Sequence, residues 1–547
     1  MSATPELAAD VIVVGGGPAG STAATMMARK GLRVLLLERD RFPRHHVGES
    51  LLPSSLPVLE ELGVLPAVQA EGFLPKWGAT MVWGRDRAPW SWYFSESNRR
   101  YPHSYQVWRP RFDQLLLENA RANGVDVREG YRVTDVLFRG VRATGVAYTG
   151  PDGRPGAAGG PFVVDTSGQA SLLAGRLDLR RWDSSFQNLA VYSYFTGAQR
   201  LPPPDENNIF IESYPSGWFW NIPLHTGWAS VGVVVDSAAA QRGIRDRGAE
   251  GFFSDQISAA PHTREMLASA ARTLGPFVAR DWSYAAERFA GDGYVLAGDA
   301  ACFVDPLFSS GVHLALTSGV LAAAYVVTSL RDPDLGRASA SVYRELYYRE
   351  YAHFRELARL FYHSNRTAES YFWEARRMVG DVESGSDREA FVRAVAGQPA
   401  RGYERTVLGY GQPPGGFIQG LRQVEGMRVA RRARLEGELS GEAIRRSVPR
   451  MSGGAALRRK PVVGEGEFQW GYVVTTPDRP EGIPCSDLVA VVVSMVDGKT
   501  SVGDILGRVA ARVGEAQAEA VERSVVEALG IMYVDGVVEE LESGQGG

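Results

Sequence analysis

One segment near the start of the chain restricts the fold more than any other: a glycine-rich turn between an apolar run and an alanine-rich run. The run VIVV at 11–14 leads into GGGPAG at 15–20, and a second apolar run at 34–37 ends in an acid. In a βαβ unit the first glycine permits a tight turn, the second lets a pyrophosphate approach, and the third lets helix pack on strand. The acid accepts hydrogen bonds from ribose hydroxyls and argues against a 2′-phosphate. We predict dinucleotide binding rather than a structural glycine turn, by Gly15, Gly17, Pro18, Ala19, Gly20 and Glu38.

Length, charge and cysteine content limit the class of protein. The chain has 547 residues, enough for two or three domains, and its formal net charge of −4 gives no sign of a nucleic-acid partner. Cys302 and Cys485 are too few and too far apart for a disulfide framework or a cysteine metal site. The N-terminus lacks a basic region followed by an apolar one. We expect a cytoplasmic protein without a secretion signal and without a bound metal.

The segment 306–330 resembles a membrane span in composition. It contains no Asp, Glu, Lys or Arg and is largely apolar. However, it contains Ser309, Ser310 and Gly311 near its start, and a glycine-led helix start is suited to meeting a ligand. We therefore predict a helix buried in protein and no membrane partner.

Three later segments point to FAD. The segments FVVDTSG at 162–168 and YVLAGDA at 294–300 each read as a strand that ends beside a Gly or Asp. They resemble the second and third nucleotide-contact motifs of FAD-dependent aromatic hydroxylases, which implies that Asp299 lies near ribityl or ribose oxygens. The helix start WRPRFD at 108–113 resembles the arginine-bearing segment that touches the flavin nucleotide in that group. The resemblance implies a flavin contact for Arg111, with a merely solvated helix end as the alternative.

Two aromatic side chains indicate a specialised flavoprotein. Trp218 and Trp220 alternate in WFWNIP at 218–223, so a strand would place both indoles on one face. The W-x-W-x-I-P pattern resembles the motif of flavin-dependent halogenases, where such a wall keeps an organic substrate away from the flavin. The segment GES at 48–50 resembles that family's loop over the flavin, which implies flavin contacts for Glu49 and Ser50. A polar loop before a helix is the alternative for this segment.

Two further segments extend the resemblance to catalysis. GFLPKWG at 72–78 resembles the stretch that holds the halogenases' active-site lysine, which maps to Lys76. Most lysines are solvated surface charges, but burial among apolar neighbours lowers a lysine pKa and makes the amine reactive. In DPLFSSGVH at 305–313 the resemblance implies chloride contact at Ser310 and Gly311 and flavin contact at Val312. Free N–H groups at a helix start would form such an anion site.

One position departs from the tryptophan-specific members of that family. These place a catalytic glutamate where this chain has Phe308. The departure puts free tryptophan in doubt as substrate. It favours a phenol or a pyrrole, either free or attached to an acyl or peptidyl carrier protein, as in antibiotic and other secondary-metabolite biosynthesis.

The fold class implied is α/β. We predict an FAD-binding Rossmann-like domain of the aromatic-hydroxylase type at 1–334, with an interleaved antiparallel substrate sheet that includes strands at 192–195 and 229–235. Residues 335–453 form a helical substrate-covering region, in which an apolar stripe from Tyr343 to Phe361 serves packing rather than ligand binding. A linker at 454–466 precedes a small winged-helix-like docking or capping domain at 467–547. That domain is expected to end in a hairpin of 532–534 with 537–540.

The resemblance implies a reaction as well as a fold. Reduced FAD (FADH2), supplied by a separate flavin reductase, and O2 would oxidise chloride or bromide to a hypohalous acid, which travels past Trp218 and Trp220 to Lys76. Lys76 then delivers electrophilic halogen to a small aromatic substrate. An FAD hydroxylase or an isoprenoid-type reductase is the first alternative, since it shares the nucleotide motifs. A non-catalytic flavin-binding interaction protein is the second.

Overall fold

The structure is a computed structural model, which describes residues 7–84, 87–363, 371, 386–397, 430–437, 442–477, 479–513, 518–534 and 536–543. Its contacts divide the chain into two compact units, residues 1–399 with 465–467, and residues 400–464 with 468–547. The first unit therefore includes most of the helical region that the sequence suggested as separate from 335 onward. The second begins at 400 rather than at 467.

The nucleotide-binding sheet lies at the start of the first unit. It has six strands, in the spatial order Ala290–Gly291, Tyr294–Leu296, Phe162–Asp165, Val11–Val14, Val34–Glu38 and Asp126–Glu129. All adjacent pairs are parallel except the edge pair of Ala290–Gly291 with Tyr294–Leu296. Helix Pro18–Arg29 follows Val11–Val14 directly, with Pro18 in its first turn, where no intrahelical N–H bond is lost. The predicted Rossmann-like βαβ unit is confirmed.

A second, larger sheet is interleaved with the first along the chain. Its eight strands lie in the order Cys302–Phe303, Ala271–Ala286, Arg180–Thr196, Trp228–Asp236, Gly217–Pro223, Ile209–Tyr214, Gly78–Val82 and Trp90–Tyr93. Strand Gly217–Pro223 is antiparallel to both neighbours, with Trp218 opposite Val234 and Trp220 opposite Gly232. The predicted substrate sheet is confirmed, with all adjacent pairs antiparallel except Ile209–Tyr214 with Gly78–Val82. We call it the substrate sheet.

Smaller strands and helices complete the first unit. A four-stranded sheet contains Leu7–Ala8, Pro155–Gly159, Arg142–Thr149 and Arg132–Arg139, and a two-stranded sheet pairs Leu74–Lys76 with Ser104–Gln106. The α-helices besides Pro18–Arg29 are Leu56–Glu61, Leu65–Ala70, Arg109–Ala122, Leu172–Arg176, Ser237–Ala259, Pro261–Met266, Gly311–Arg331, Pro333–His363 and Asp387–Val395.

The apolar helix Gly311–Arg331 is long and apolar enough to cross a membrane by length and composition alone, but 72% of its most apolar window is buried inside the protein. It packs against Pro18–Arg29 so closely that a Cβ on Gly319 would lie 2.7 Å from the Ala19 carbonyl oxygen. The helix is therefore part of the protein core, as its polar start suggested.

The aromatic stripe of helix Pro333–His363 faces inward. Tyr343, Tyr347, Phe354 and Phe361 are at most 1% exposed. The Tyr343 and Tyr347 hydroxyls donate to the carbonyl oxygens of Leu296 and Gly298, at 2.7 and 3.1 Å. The stripe serves packing, as predicted, and it also supports the strand end that precedes Asp299.

The second unit has its own core, and here two predictions are wrong. Its elements are helices Glu442–Arg446, Asp487–Met495, Val502–Val513 and Ala518–Val534, and strands Ser447–Met451, Ala456–Val463, Phe468–Thr476, Arg479–Cys485 and Val538–Ser543. The predicted linker at 454–466 contains a strand instead, since Ala456–Val463 pairs with Phe468–Thr476. The predicted hairpin is absent from the described residues, because Ala518–Val534 stays helical and Val538–Ser543 pairs with Ser447–Met451. Leu529, Met532 and Tyr533 all belong to the buried core, which is the face of a helix rather than alternate sides of a strand.

Candidate active site

A cavity of about 690 Å³ lies where the nucleotide-binding sheet meets the substrate sheet. We call it the main cavity. Twelve of the predicted site residues line it: Gly15, Gly17, Pro18, Ala19, Glu38, Glu49, Ser50, Trp218, Trp220, Asp299, Gly311 and Val312. Gly20, Lys76, Arg111 and Ser310 do not line it. The structure therefore brings most of the candidate residues, spread over some 300 positions of the chain, to one place.

The glycine-rich turn forms one end of the main cavity. Gly15 has a φ of +101°, and a Cβ there would lie 2.5 Å from the Thr166 carbonyl oxygen, so the turn requires glycine. A Cβ on Gly20 would lie 1.9 Å from the Gly15 carbonyl oxygen, which explains why Gly20 serves packing without facing the cavity. The Gly16 N–H donates to Glu38 Oε2 at 2.6 Å and so fixes the acid at the strand end.

The same turn opens onto a helix start with free N–H groups. Helix Pro18–Arg29 has Gly17 at its N-cap and no side chain that caps it. Such a start attracts phosphate through its N–H groups and its dipole. Together with Glu38 for ribose, this part of the cavity fits the nucleotide half of FAD.

Asp299 lies further along the cavity, after strand Tyr294–Leu296. Burial raises the pKa of its carboxyl group to about 6, against the opposing effect of the nearby Arg109 charge. The Tyr284 hydroxyl donates to its carbonyl oxygen at 2.6 Å. Asp299 is thus a positioned acceptor, as a hydrogen bond from a ribityl or ribose hydroxyl requires.

The start of helix Arg109–Ala122 places its arginines differently from the prediction. Arg111 does not line the main cavity, and its guanidinium pairs with Glu71 and Glu118, at 3.0 and 3.4 Å. Arg109, two positions earlier, lines the cavity and is held by Asp113 at 2.8 Å. Arg109 rather than Arg111 is therefore the arginine of this helix start that faces the main cavity, because the two side chains leave the helix in different directions.

The loop at 42–50, which we call the covering loop, contributes a buried acid. Glu49 is 1% exposed, and its carboxylate accepts hydrogen bonds from the Tyr194 hydroxyl at 2.5 Å and the Gly48 N–H at 3.0 Å. Arg109 Nη1 donates to the Val47 carbonyl oxygen at 2.7 Å and so ties the loop to its helix. The sequence had suggested Glu49 and Ser50. It had missed Tyr194, which no local pattern marks.

The two indoles form a wall of the main cavity. Trp218 and Trp220 are 2% and 6% exposed, and their ring centroids are 6.1 Å apart with the planes at 53°. The Trp220 Nε1–H donates to the Ser230 hydroxyl at 3.2 Å, and the Trp218 Nε1–H to the Tyr362 hydroxyl at 2.5 Å. Each indole therefore has a fixed place in the wall, as a steric partition needs.

A second helix start also meets the main cavity. The segment 305–310, which we call the halide loop after the role predicted for it, contains Ser309 with a left-handed φ of +57° and leads through Ser310 into helix Gly311–Arg331. No side chain caps this helix, and the buried Ser310 hydroxyl has no partner among the described residues. Gly311 and Val312 line the cavity, and a Cβ on Gly311 would meet nothing within 4 Å. Free N–H groups beside open space suit a small anion.

Lys76 is buried outside the main cavity. It is 2% exposed, and its Nζ donates to the Leu51 carbonyl oxygen at 3.0 Å, next to the cavity-lining Ser50. The Nζ also lies 5.4 Å from the centroid of the Phe94 ring. Among the described residues no carboxylate pairs with it, and burial alone lowers the pKa of the amine to about 7. Lys76 is therefore an amine that is only partly protonated at neutral pH and is held close to the cavity wall.

Comparison with known proteins identifies this arrangement. The family model for tryptophan halogenase matches residues 10–102 and 95–401. The chain belongs to the tryptophan halogenase family. The tryptophan 2-halogenase of Chondromyces crocatus is 37% identical to this halogenase over 398 residues, which cover 71% of this chain and 75% of that protein.

Two further relatives extend the comparison. The 1H-pyrrole-2-carbonyl-(peptidyl-carrier protein) chlorinase of Pseudomonas fluorescens is 32% identical over 413 residues, 70% of this chain and 91% of that one. The solved structure of the myxobacterial chondrochloren halogenase matches with a TM-score of 0.63 and 42% identity, over 72% of this chain and 90% of that chain. This halogenase is thus an enzyme of the flavin-dependent kind, which implies FAD as its cofactor.

The halogenase keeps an aromatic residue where the tryptophan-specific pattern has an acid. Phe308 is 5% exposed, and its ring contacts Phe361 edge to face at 5.1 Å between centroids. A carboxylate in this apolar contact would be costly to bury. This position therefore supplies no acid to the site.

Proposed function

We propose that this halogenase chlorinates an electron-rich aromatic ring, a phenol or a pyrrole, with hypochlorous acid made in the main cavity from chloride, O2 and reduced FAD. When bound, FAD would supply the two electrons and the site of O2 reaction. The proposal includes bromide as an alternative halide. The substrate is either free or attached to a carrier protein, as in the biosynthesis of antibiotics and other secondary metabolites.

One observation carries the proposal: Lys76 is buried without an anionic partner among the described residues, beside the cavity wall but outside the cavity. Keeping an unpaired lysine in such a place costs stability, which is consistent with a chemical use for its amine. Because burial lowers its pKa to about 7, the amine is available at neutral pH both as a nucleophile toward hypochlorous acid and as a hydrogen-bond donor to it.

The other residues divide the work around this lysine. The N–H groups at Ser310 and Gly311 would hold chloride, since a helix start favours an anion. The indoles of Trp218 and Trp220 would keep the aromatic substrate from the flavin, since both are buried and hydrogen-bonded in place. Small hypochlorous acid would pass where the ring cannot.

Partners and location complete the proposal. A separate flavin reductase would supply reduced FAD. The pyrrole-carrier chlorinase among the relatives is a reason to test carrier-bound substrates. We also propose a cytoplasmic location, with which the free thiols of Cys302 and Cys485 are compatible.

The test combines a substrate panel with matched lysine variants. Wild type, Lys76→Met and the exposed control Lys499→Met are supplied with a reductase, chloride or bromide, and free and carrier-bound phenols and pyrroles. Products are read by mass spectrometry, and hypochlorous acid by trapping with taurine. We expect Lys76→Met to keep FAD binding and hypochlorous acid formation but to lose the halogenated product.

Two results would contradict the proposal. Product formation by Lys76→Met at the wild-type rate would remove the lysine from the reaction. Consumption of NADPH by the purified protein without a reductase, together with a hydroxylated product, would favour the hydroxylase alternative.

A further inference from the structure

The covering loop carries a hydrogen-bonded chain that the chemistry above does not use. His45 Nε2 lies 3.0 Å from the Tyr194 hydroxyl oxygen, and that hydroxyl donates to Glu49 Oε1 at 2.5 Å. A tyrosine hydroxyl has one hydrogen, so when it is given to Glu49, the hydrogen of the first bond belongs to His45. Both bonds therefore point the same way, from His45 through Tyr194 to Glu49.

The chain runs from solvent to the protein interior. His45 is exposed, whereas Tyr194 and Glu49 are 0% and 1% exposed. Both His45 and Glu49 line the main cavity. The exposed end can exchange protons with water, and the buried end faces the space in which chloride oxidation is proposed.

The exposed end is held in place, unlike a solvated surface histidine. The His45 ring stacks on Phe277 with centroids 4.7 Å apart and meets the edges of Tyr194 and Trp108 at 5.3 and 6.2 Å. The Arg109 bond to the Val47 carbonyl oxygen fixes the loop between His45 and Glu49. Such packing keeps the two hydrogen bonds aligned.

The surroundings of the chain favour proton transfer along it. Burial and the Arg109 charge lower the pKa of His45, whereas burial raises the pKa of Glu49. The two values thus move toward each other, which lowers the free-energy cost of moving a proton between them. The titratable and charged groups around the chain are Arg44 and His46 of the loop, Arg109 and Asp113 of helix Arg109–Ala122, and Tyr192 and Tyr194 of strand Arg180–Thr196.

We propose that His45, Tyr194 and Glu49 form a proton relay that delivers to the main cavity the proton consumed in halide oxidation. The relay rests on the proposed function, because one turnover of chloride, O2, a proton and reduced FAD gives hypochlorous acid, water and oxidised FAD. This balance requires one proton from outside for each chloride oxidised.

Each hop breaks one bond to hydrogen and forms another. Glu49 releases its proton to the oxygen, derived from O2, that leaves as water. The Tyr194 O–H passes its proton to Glu49 and receives the one on His45 Nε2. His45 takes a proton from solvent on Nδ1 as it gives up the one on Nε2. Exchange of the Nδ1 proton with solvent, reprotonation of Nε2 and rotation of the Tyr194 O–H back toward Glu49 then restore all three residues.

The first experiment measures chloride oxidation apart from substrate halogenation. The proteins are wild type, Tyr194→Phe, His45→Ala and the control Tyr214→Phe. The control removes a hydroxyl that donates to Gln256 Oε1 at 2.5 Å and does not line the main cavity. Each is loaded with chemically reduced FAD and mixed at pH 8, in dilute buffer, with air-saturated chloride and taurine. We expect formation of trapped hypochlorous acid to fall about tenfold or more in Tyr194→Phe and His45→Ala. Tyr214→Phe should match wild type.

Rescue by a small base separates a relay from a structural role. Added imidazole should restore the rate of His45→Ala, whose missing ring stood at the exposed end of the chain. It should not restore Tyr194→Phe, in which the interior hop is broken. FAD binding measured by fluorescence shows whether each variant keeps its fold, and His45→Ala, an exposed change, carries the test if Tyr194→Phe does not.

The second experiment needs neither FAD nor turnover. Histidine labelled with ¹³C gives eight ring signals, and the His45 signal is the one lost in His45→Ala. We expect the pKa of His45 to fall in Tyr194→Phe and in Glu49→Gln, because each change disconnects the imidazolium from the carboxylate. Tyr214→Phe should leave it unchanged.

The outcomes separate the relay from the proposed function. If wild type forms hypochlorous acid but the variants form it equally fast, or the pKa of His45 does not respond, the relay is overturned alone. If wild type forms no hypochlorous acid, the proposed function is overturned and the relay with it. If hypochlorous acid forms by the relay but Lys76→Met still halogenates, only the role of the lysine is lost.

Discussion

The Trp218 indole N–H donates to the Tyr362 hydroxyl at 2.5 Å, and that hydroxyl donates to Asp305 Oδ2 at 2.7 Å. Three separate parts of the chain meet in this contact: the aromatic wall, helix Pro333–His363 and the halide loop. Asn188 Nδ2 adds a bond of 3.2 Å to the same carboxylate oxygen. The wall proposed to keep the substrate from the flavin and the loop proposed to bind the halide are thus held by one phenol group.

The first prediction concerns this phenol. Tyr362→Phe should lower the free energy of unfolding by about 1–3 kcal/mol, because the Trp218 N–H loses its partner and the buried Asp305 loses a donor. Trp218 should then be held less firmly, and a larger share of hypochlorous acid should escape to the taurine trap instead of reaching product. The control is Tyr348→Phe on the same helix, where the Tyr348 ring packs against the Arg344 guanidinium. Equal unfolding free energies for the two variants would contradict the prediction.

The second prediction concerns the glycine behind the wall. A Cβ on Gly232 would lie 2.1 Å from Cζ2 of the Trp220 ring, so Gly232→Ala must displace the indole. We expect a loss of about 1–3 kcal/mol in unfolding free energy and greater escape of hypochlorous acid. Gly175→Ala is the matched control, because Gly175 lies in a helix and a Cβ there would meet nothing within 4 Å. This change should leave the unfolding free energy unchanged or raise it slightly. A wild-type product yield in Gly232→Ala would show that Trp220 does not define the wall.

The third prediction follows from the burial of Lys76. Burial lowers its pKa from 10.5 to about 7, so between these pH values the folded protein binds fewer protons than the unfolded chain. Stability contributed by this group is therefore present above about pH 10.5 and is lost as the pH falls through about 7. Lys76→Met lacks this dependence, so its advantage over wild type should be largest, on the order of a few kcal/mol, below pH 7 and should shrink as the pH rises.

Urea unfolding at pH 6.5, 8 and 9.5 measures this effect. Lys499→Met, at an exposed lysine, should differ from wild type by a constant small amount at all three values. A constant difference for Lys76→Met as well would mean that the lysine is solvated, which would also remove the basis of its proposed reactivity.

The fourth prediction tests the correction at the helix start. Arg109→Gln should weaken FAD binding at least about tenfold, or about 1.4 kcal/mol, since Arg109 lines the cavity. Arg111→Gln should change FAD binding less than about twofold, because that guanidinium pairs with Glu71 and Glu118. Fluorescence titration gives both affinities, and thermal unfolding without FAD reports any loss of the Arg109 pair with Asp113. The reverse order of affinities would restore the original expectation for Arg111.

Local sequence patterns predicted the parts of this halogenase in which the chain needs a particular residue at a particular spacing. The tight turn at Gly15 and the close packing at Gly20 leave no room for a Cβ, so the glycine spacing was readable without a structure. Alternation along a strand was enough to place Trp218 and Trp220 on one face. The halogenase motifs around Lys76 and the halide loop were likewise contiguous in the chain.

Tertiary packing decided which of several locally equivalent residues faces the site. Arg109 and Arg111 lie about 200° apart around their helix, so only one can face the cavity, and only the docking of that helix selects Arg109. The helix Ala518–Val534 continues through 532–534, the first strand of the predicted hairpin, because its apolar residues pack into a core on one face. His45, Tyr194 and Glu49 come together from the covering loop and a strand some 145 positions away. A contact between distant segments depends on how sheets, helices and loops pack, and no local periodicity records it.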